Sequence, residues 1–336
     1  MKIKIVGAGL AGCVCANVLA EEFDCQIDIY EKSSKIGGLC RDDAKGIDGF
    51  GDIYQLYGPH IFHTSMPNVI KYVLDFAEFR PFTNRPIAVT DKGYARLPLS
   101  IETIKDLNNE DLENEETKID KQLIFDNIIK DYSEKQWGEQ PDKAIIDRLK
   151  IYEGLSGSYF NDLFEGIPKN GFSKMMEKMI GKDCINVFYN TEATSDKGDY
   201  DFVIWTAPID EIKGFKLKVS WKGTDFAYTN YDAFSPRLAP VYNLCARYFS
   251  GTRSSDISQL TGCDSENNIL LEFPGSKAKH YPIVKNRKTL DKWIERQKEN
   301  NFYCCGRLGT ASYFDMDDTI ANAFKVCGEI ITKALE

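Results

Sequence analysis

The sequence predicts an α/β fold in which a Rossmann-like nucleotide-binding domain is interleaved with a small helical domain and an antiparallel β-sheet domain. Three observations predict it. An apolar strand at the start of the chain runs into a glycine-rich turn and an alanine-rich helix, residues 200–208 have the pattern of a strand that re-enters the same sheet, and no low-complexity linker separates the parts. With 336 residues, the chain has room for two or three domains.

Composition and charge exclude several classes of function. The 42 Lys and Arg residues against 51 Asp and Glu residues leave a net charge of −9. The overall field therefore does not attract nucleic acid or an anionic membrane, and an anionic ligand needs a local basic pocket. No apolar stretch approaches the ~20 residues of a membrane helix, and the amino terminus lacks a signal-peptide pattern. We expect a cytoplasmic protein with no nucleic acid and no membrane insertion.

Cysteine and histidine usage argues against a metal site. The ten cysteines form no CxxC pair, and three histidines are too few for a rich metal site. We expect no bound metal, and thiols that are reduced and mostly buried.

The first elements form a dinucleotide-binding motif. Residues 2–6 predict a strand, which leads directly into the run Gly-Ala-Gly-Leu-Ala-Gly at 7–12 and a helix to about Glu22. The first glycine permits the turn, the second lets the backbone approach a pyrophosphate, and the third lets helix and strand pack closely. A second strand over 25–30 ends at Glu31, 19 residues beyond the last of these glycines, where a carboxylate can bind a ribose hydroxyl. The alternative is a glycine-rich turn without a ligand.

A second glycine pair favours FAD over NAD. The pair Gly37-Gly38 lies in the segment from Lys32 to Cys40, directly after the second strand. In glutathione-reductase-like and amine-oxidase-like flavoproteins, a similar segment lets the chain pass close to the ribityl chain and phosphates of FAD, whereas NAD enzymes do not need it. The nucleotide-binding domain is therefore predicted to bind FAD.

The middle of the chain contains candidate substrate-binding elements. His60 and His63 are three residues apart and could share one face of a helix or turn, either as site residues or as structural imidazoles. Residues 81–99 predict a β-hairpin, and residues 100–147 predict helices. Trp137, followed by a glycine, suits a mobile loop with a stacking side chain, or else a core position.

The last third of the chain returns to the nucleotide-binding sheet. Residues 200–208 predict a strand, 215–284 predict further strands, and 302–310 predict a strand followed by a glycine turn. The acidic run at 315–318 leads into an amphipathic helix over 320–335. Acidic residues stabilise the first turn of a helix, and the N-terminus of this helix could face a flavin.

Together, these motifs resemble those of the bacterial FAD-dependent UDP-galactopyranose mutases over nearly the whole chain. The resemblance is carried by segments such as Tyr57-Gly-Pro-His-Ile-Phe-His-Thr64, Lys135-Gln-Trp-Gly-Glu-Gln-Pro141, Gly306-Arg-Leu-Gly-Thr310 and Tyr313-Phe-Asp-Met-Asp317. It implies a discontinuous FAD-binding domain, a helical domain with a mobile lid, and an antiparallel substrate domain. Their implied ranges are 1–66 with 181–214 and 300–336, then 100–147, and 67–99 with 148–180 and 215–299.

The resemblance also implies an activity. It indicates an isomerase that interconverts UDP-galactopyranose and UDP-galactofuranose for cell-surface polysaccharide biosynthesis, with N5 of reduced FAD as nucleophile and no net redox change. The reductant would be NAD(P)H or another external donor, and the family often forms homodimers. Three alternatives stay open: a mutase of another NDP-hexose such as a dTDP- or UDP-deoxyhexose, an amine-oxidase-like flavin oxidoreductase, and a nucleotide-sugar binder without activity.

Site residues follow from the resemblance, residue by residue. The implied catalytic residues are His60, His63, Arg148, Tyr281 and Tyr313. The implied substrate-binding residues are Asn84, Tyr132, Trp137, Arg148, Tyr159, Asn243, Tyr281 and Tyr313, with Arg148 on the diphosphate. The implied FAD-binding residues are Gly7, Gly9, Leu10, Ala11, Gly12, Glu31, Lys32, Gly38, Leu39, His60, Ile61, Gly306, Arg307, Tyr313, Asp315 and Met316.

One position departs from the family pattern. Where the family has a second arginine for the diphosphate, this chain has Asn243, within the strand-like segment Val241-Tyr-Asn-Leu244. Arg247 or Arg253 could reach in from the same stretch, or the substrate could be held differently.

Overall fold

The structure, a computed structural model, describes residues 1–45, 52–110, 117–153, 157–229, 238–262, 269–275 and 278–336. Its strands are β1 Lys2–Val6, β2 Gln26–Tyr30, β3 Asp42–Lys45, β4 Asp52–Gln55, β5 Phe62–Thr64, β6 Phe79–Pro81, β7 Ile87–Thr90, β8 Gly93–Arg96, β9 Phe164–Pro168, β10 Ile185–Phe188, β11 Phe202–Trp205, β12 Val219–Thr229, β13 Val241–Leu244, β14 Arg253–Asp256, β15 Ile269–Gly275, β16 Tyr281–Val284 and β17 Phe302–Cys304. Its helices are α1 Leu10–Glu22, α2 Pro67–Phe76, α3 Ile101–Asn108, α4 Lys121–Ile124, α5 Lys130–Trp137, α6 Ile145–Arg148, α7 Phe172–Met179, α8 Ile257–Thr261, α9 Arg287–Gln297, α10 Gly306–Gly309 and α11 Met316–Leu335.

A parallel sheet in the order β10-β2-β1-β11-β17 carries the predicted nucleotide-binding motif. Side chains of its central strands, such as Ile3, Ile27 and Ile204, are fully buried. Such continuous burial is typical of parallel strands that are covered on both faces. Because β11 pairs with β1, the strand predicted at 200–208 does re-enter this sheet, and the Rossmann-like α/β prediction is confirmed.

The strands of this sheet come from distant parts of the chain. They lie within 1–66, 181–214 and 300–336, the ranges expected for the FAD-binding domain. The division of the chain into three domains itself stays a prediction.

A larger mixed sheet in the order β16-β12-β15-β14-β13-β7-β8 is antiparallel except where β13 pairs with β7. The predicted hairpin at 81–99 is confirmed as β7 and β8, which meet at the pair Thr90↔Gly93. Across the middle of this sheet, Asn243 on β13 pairs directly with Arg253 on β14, which pairs directly with Glu272 on β15. We call these three residues the cross-strand row.

The described residues between 100 and 147 are mainly helical, as predicted. Ser100 caps α3 by accepting a hydrogen bond from the Thr103 backbone, while the Thr103 hydroxyl accepts one from the Ser100 backbone. Ile104 of α3 and Ile124 of α4 pack against Ala88 of the β7–β8 hairpin. The helices therefore rest on one edge of the larger sheet.

Helix α5 is fastened to the connection between β13 and β14. Lys135 donates to the carbonyl oxygens of Ala246 at 2.9 Å and Gly251 at 3.3 Å. In return, Arg247 of the connection pairs with Asp131 of α5 at 2.9 Å. These contacts hold α5 beside the strands that carry Asn243 and Arg253.

The C-terminal helix begins earlier than the sequence predicts. It starts at Met316 rather than at residue 320, because Asp315 and Asp318 form a reciprocal capping box that brings the acidic run into the first turn. The acids complement the positive end of the helix dipole.

Metal and membrane features can be assessed over the described ranges. There, no group of three or more metal-ligating side chains is placed to hold an ion, and no helix is both long and apolar enough to cross a bilayer. The described cysteines are free thiols and mostly buried, as predicted, whereas Cys263 lies outside the described residues.

Candidate active site

A cleft of about 940 Å³ runs from the carboxyl ends of β1 and β2 to the face of the larger sheet. Most of the predicted site residues line it, although Gly12, Tyr132, Trp137 and Arg148 do not. The predicted residues along the cleft are Gly7, Gly9, Leu10, Ala11, Glu31, Lys32, Gly38, Leu39, His60, Ile61, His63, Asn84, Tyr159, Asn243, Tyr281, Gly306, Arg307, Tyr313, Asp315 and Met316.

Closely packed glycines form a cradle at one end of the cleft. A Cβ atom on Gly38 would lie 3.0 Å from the Cα atom of Gly9, and one on Gly12 would lie 2.0 Å from the carbonyl oxygen of Gly7. Side chains at these positions would separate α1, β1 and the Gly37-Gly38 loop. Their absence leaves backbone amides at the N-terminus of α1 facing the cleft, which fits a pyrophosphate.

Glu31 closes the same end of the cleft. Its buried carboxylate accepts hydrogen bonds from the backbone amides of Ala8 and Ser33, both at 2.8 Å. The bond from Ala8 ties the end of β2 to the glycine-rich turn. Because a carboxylate has about four acceptor positions, two remain for the hydroxyls of a ribose.

Arg307 organises the middle of the cleft. Its Nε atom donates to the carbonyl oxygen of Phe314 at 2.7 Å. Its guanidinium lies 5.3 Å from the ring centre of Tyr313 and 5.7 Å from that of Tyr281. The two phenol rings are themselves stacked, with centroids 5.8 Å apart, so one cation and two hydroxyls converge here.

His60 and His63 lie in the cleft wall, but not on a helix or turn as their spacing suggests. His60 lies two residues before β5, and His63 lies within it. Nδ1 of His60 lies 2.9 Å from the carbonyl oxygen of Gly58, whereas His63 pairs with Asp162 at 2.8 Å and stacks on Phe160 with centroids 3.7 Å apart. Pairing of β5 with β9 imposes the extended conformation.

The electrostatic surroundings make His60 neutral. Burial is the largest effect and lowers its pKa to about 4, and the positive charges of Arg307 and Arg253 act in the same direction. Since a carbonyl oxygen only accepts hydrogen bonds, Nδ1 carries the proton, and Nε2 is an acceptor.

The lowered pKa predicts a pH dependence of stability. Between the ordinary histidine pKa of 6.5 and the folded value of about 4, the unfolded protein binds more protons than the folded one, so stability falls as the pH falls. The slope from this group is at most about 1.4 kcal/mol per pH unit. In flavin-free protein, His60→Gln should flatten this part of the unfolding free energy between pH 7 and pH 5.5, measured with urea. Parallel curves for the two proteins would contradict the assignment.

Aromatic side chains gather at the far end of the cleft. Trp137, at the end of α5, meets Tyr281 edge to face with centroids 5.8 Å apart. Burial raises the pKa of the neighbouring Tyr132 to about 12, while the charge of Arg253 opposes that shift. Tyr132 and Trp137 therefore adjoin the cleft-lining substrate residues, although they do not line the cleft.

Arg148, in contrast, is not brought to this site. It is exposed at the end of α6, which packs beside α4 and is held there by a bond from Lys121 to the Asp147 carbonyl oxygen at 3.0 Å. Arg148 does not line the cleft in this structure, and its role on the diphosphate stays a prediction.

Two residues of the cross-strand row stand out beside Asn243. Arg253, which the sequence offered only as one of two arginines that could reach the diphosphate, lines the cleft. Glu272, which was not predicted from the sequence, lines it too. The sequence does not reveal the register of these strands, so no local signal brings Glu272 to the cleft. Arg247, the other substitute, does not line the cleft.

Comparisons with known proteins show what the chain is similar to. A family model described as UDP-galactopyranose mutase matches residues 127–313, and a model of an NAD(P)-binding Rossmann-like domain matches residues 5–76. The chain is 27% identical to a UDP-galactopyranose mutase of Mycoplasma genitalium, covering 98% of this chain and 95% of that protein. It is 25% identical to a dTDP-fucopyranose mutase of Escherichia coli, covering 99% and 98%.

A solved structure shares the fold. A reduced UDP-galactopyranose mutase superimposes with a TM-score of 0.74 at 15% identity, covering 100% of this chain and 94% of that one. A redesigned putrescine oxidase superimposes less closely, with a TM-score of 0.53 at 12% identity, over 98% and 99%.

Proposed function

Since the chain belongs to the UDP-galactopyranose mutase family, and is thus an isomerase that interconverts pyranose and furanose forms of a nucleotide sugar, we propose that its substrate is UDP-galactopyranose and its cofactor reduced FAD. One observation carries the proposal. A single cleft connects the glycine cradle at α1 with the tyrosines, histidines and arginines at the larger sheet, so a dinucleotide and a nucleotide sugar can meet within it.

The residues of the cleft fit FAD. The glycine cradle suits the pyrophosphate and Glu31 suits the ribose, while Arg307 and Met316 line the same cleft and would help to hold the cofactor. When bound, reduced FAD supplies a nucleophilic ring nitrogen to the anomeric carbon. The thiol of Cys40 lines the cleft but does not serve as the nucleophile instead. Burial raises the pKa of Cys40 to about 11. Its thiol is therefore protonated at neutral pH and is a weak nucleophile.

The chain's own residues would position the substrate and stabilise its charge. Tyr159, Tyr281 and Tyr313 present hydroxyls that can donate to a diphosphate as it leaves the sugar. Trp137 beside Tyr281 can cover the nucleotide end and exclude water. Neutral His60 can accept a hydrogen bond from a sugar hydroxyl at Nε2, and it places no further positive charge beside Arg307.

The proposal predicts activity in only one redox state. Protein loaded with FAD and reduced with dithionite or NAD(P)H should convert UDP-galactofuranose and UDP-galactopyranose into each other, resolved by HPLC. Oxidised protein should be inactive, and the flavin spectrum should be that of the reduced form after turnover. If reduced protein leaves a panel of UDP- and dTDP-hexopyranoses unchanged, the mutase proposal fails.

A second candidate substrate is a dTDP- or UDP-deoxyhexose. The similarity over nearly the whole chain to a dTDP-fucopyranose mutase favours it. The kcat/KM value for UDP-galactopyranose, divided by that for the deoxyhexose nucleotide, decides between the two candidate substrates. Oxygen consumption with an amine, unaffected by Trp137→Ala, would instead indicate an amine-oxidase-like activity.

A further inference from the structure

The third histidine of the chain lies in the wall of the cleft, although no motif in the sequence points to it. His280 immediately precedes β16, is 7% exposed and lines the cleft. Its backbone amide donates to the carbonyl oxygen of Lys222 at 3.1 Å, and its ring is bonded to the backbone amide of Thr224. Both residues belong to β12, so the imidazole is held in one orientation against the larger sheet.

The bond to Thr224 fixes the tautomer of His280. The backbone amide of Thr224 lies 2.9 Å from Nδ1. Because a backbone N–H can only donate, Nδ1 carries no proton, and the proton of the neutral ring is on Nε2. Burial is the largest effect on the pKa of His280 and lowers it, Arg307 lowers it further, and Asp225 opposes them. The ring is therefore uncharged at neutral pH and donates from Nε2.

The Nε2 donor of His280 is not used within the described part of the chain. No described residue accepts a hydrogen bond from it, and Nε2 is accessible rather than sealed in the core. A donor that stays unpaired when a ligand excludes water is costly. An oxygen atom of a bound ligand that reaches Nε2 would remove this cost.

The surroundings of His280 suit a sugar better than a phosphate. The rings of Tyr57 and Phe226 lie 6.1 and 5.7 Å from the imidazole centre, and they meet each other edge to face at 6.0 Å. All three rings line the cleft. Aromatic walls with few polar groups suit the C–H faces and uncharged hydroxyls of a sugar. A diphosphate is better matched by the cation and phenols around Arg307.

His60 offers the complementary hydrogen-bonding group. Its proton is on Nδ1, beside the carbonyl oxygen of Gly58, so its Nε2 atom accepts. Electrostatic interaction with His280 is one of the effects that lower the pKa of His60, so the two imidazoles lie near each other. A sugar hydroxyl both donates and accepts. Two neutral imidazoles of opposite tautomers can therefore bind the hydroxyls of one sugar without adding charge.

We propose that His280 is a specificity-determining residue of the mutase site, and that its Nε2–H donates a hydrogen bond to a hydroxyl oxygen of the sugar while Nε2 of His60 accepts one. This proposal rests on the proposed function, because it needs a nucleotide sugar in the cleft. It names the sugar, rather than the nucleotide or the flavin, as the group that His280 recognises.

Two substitutions separate the donor of His280 from its structural bond. Asparagine places Oδ1 near the position of Nδ1, so His280→Asn keeps an acceptor for the buried Thr224 amide and loses the Nε2 donor. Glutamine places its amide group near the position of Nε2, so His280→Gln keeps a donor and loses that acceptor. If the bond to Thr224 were the only role of His280, the glutamine variant would be the more damaged of the two.

Binding is measured by isothermal titration with oxidised, FAD-loaded protein, so that no turnover is needed. His280→Asn should bind UDP-galactopyranose about 3- to 10-fold more weakly than the wild type, as expected for the loss of one neutral hydrogen bond. It should bind UDP, which has no hexose, as the wild type does. His280→Gln should bind UDP-galactopyranose more tightly than His280→Asn and have the lower Tm. If the protein prefers dTDP-sugars, the same comparison uses dTDP and a dTDP-hexose.

Analogues of the nucleotide sugar that each lack one hydroxyl identify the partner of His280. For one analogue, the wild type should lose about 3- to 10-fold in affinity, whereas His280→Asn should lose nothing further. If every analogue loses the same factor in both proteins, no sugar hydroxyl is bonded to His280 and the proposal fails.

The remaining outcomes separate this proposal from the mutase proposal. Three results would overturn the role of His280 and leave the mutase proposal standing: unchanged sugar binding in His280→Asn, an equal loss for UDP, or weaker sugar binding in His280→Gln than in His280→Asn. A shifted reduction potential of the flavin in His280→Asn, with sugar binding unchanged, would assign the donor to the cofactor instead. A wild-type protein that binds no UDP- or dTDP-hexose would overturn both proposals.

Discussion

Gly12→Ala is expected to abolish the binding of FAD. The added Cβ atom would lie 2.0 Å from the carbonyl oxygen of Gly7 and 3.3 Å from a methyl group of Ile5. Because the contact on one side is backbone, α1 must move away from β1, and the glycine cradle opens. Overpacking of this kind costs about 1–3 kcal/mol or more. The purified protein should be colourless, with a flavin-to-protein absorbance ratio near zero and a lowered Tm.

Gly328→Ala is the matched control. This glycine lies within α11, and an added Cβ atom would meet nothing within 4 Å. Alanine in a helix interior is more stable than glycine by about 0.5–1 kcal/mol, so this variant should stay yellow with an unchanged or raised Tm. A yellow, fully loaded Gly12→Ala protein would show that the close packing of α1 on β1 is not needed for the cofactor.

Arg307→Gln is expected to lower kcat/KM about 100-fold, the typical effect of losing one preorganised charge in an active site. The substitution removes the cation beside the rings of Tyr281 and Tyr313 and the bond to the Phe314 carbonyl oxygen. It also removes one of the charges that lower the pKa of His60. That pKa should therefore rise, which NMR titration of the imidazole can measure.

Arg287→Gln is the control for the structural role of Arg307, because it weakens the loop at residues 310–314 without removing a charge from the cleft. Arg287 also holds this part of the chain, since it donates to the carbonyl oxygens of Thr310 and Ala311 at 3.0 and 2.9 Å, but it does not line the cleft. Its replacement should lower Tm with little change in kcat/KM and none in the pKa of His60. Equal losses of activity in both variants would mean that Arg307 acts only by holding the loop.

The parts of the site that the sequence predicts well are local in the chain. The glycine-rich turn needs three glycines at fixed spacing between one strand and one helix, so Gly7, Gly9 and Gly12 can be predicted directly, as can Glu31 just after β2. The early start of α11 was readable too, because Asp315 and Asp318 have the spacing of a capping box.

What the sequence does not give depends on the register of distant strands. Nothing local in the chain indicates that Glu272 on β15 lies opposite Arg253 on β14, since the pairing depends on the whole larger sheet. Likewise, the position of Arg148 depends on how a four-residue helix packs against α4. The family motif therefore predicts an arginine at position 148, but not where its side chain lies in the folded protein.

The pairing of Arg253 with Glu272 has a consequence for the register of the larger sheet. The two residues are 19 residues apart in the chain, yet they lie directly opposite each other on β14 and β15. A slip of one residue between these strands would move Arg253 to the other face of the sheet and leave the buried Glu272 carboxylate without its cation. An unpaired buried charge is strongly destabilising. The ion pair therefore disfavours misaligned pairings, and residues that line the cleft also select the strand register that forms it.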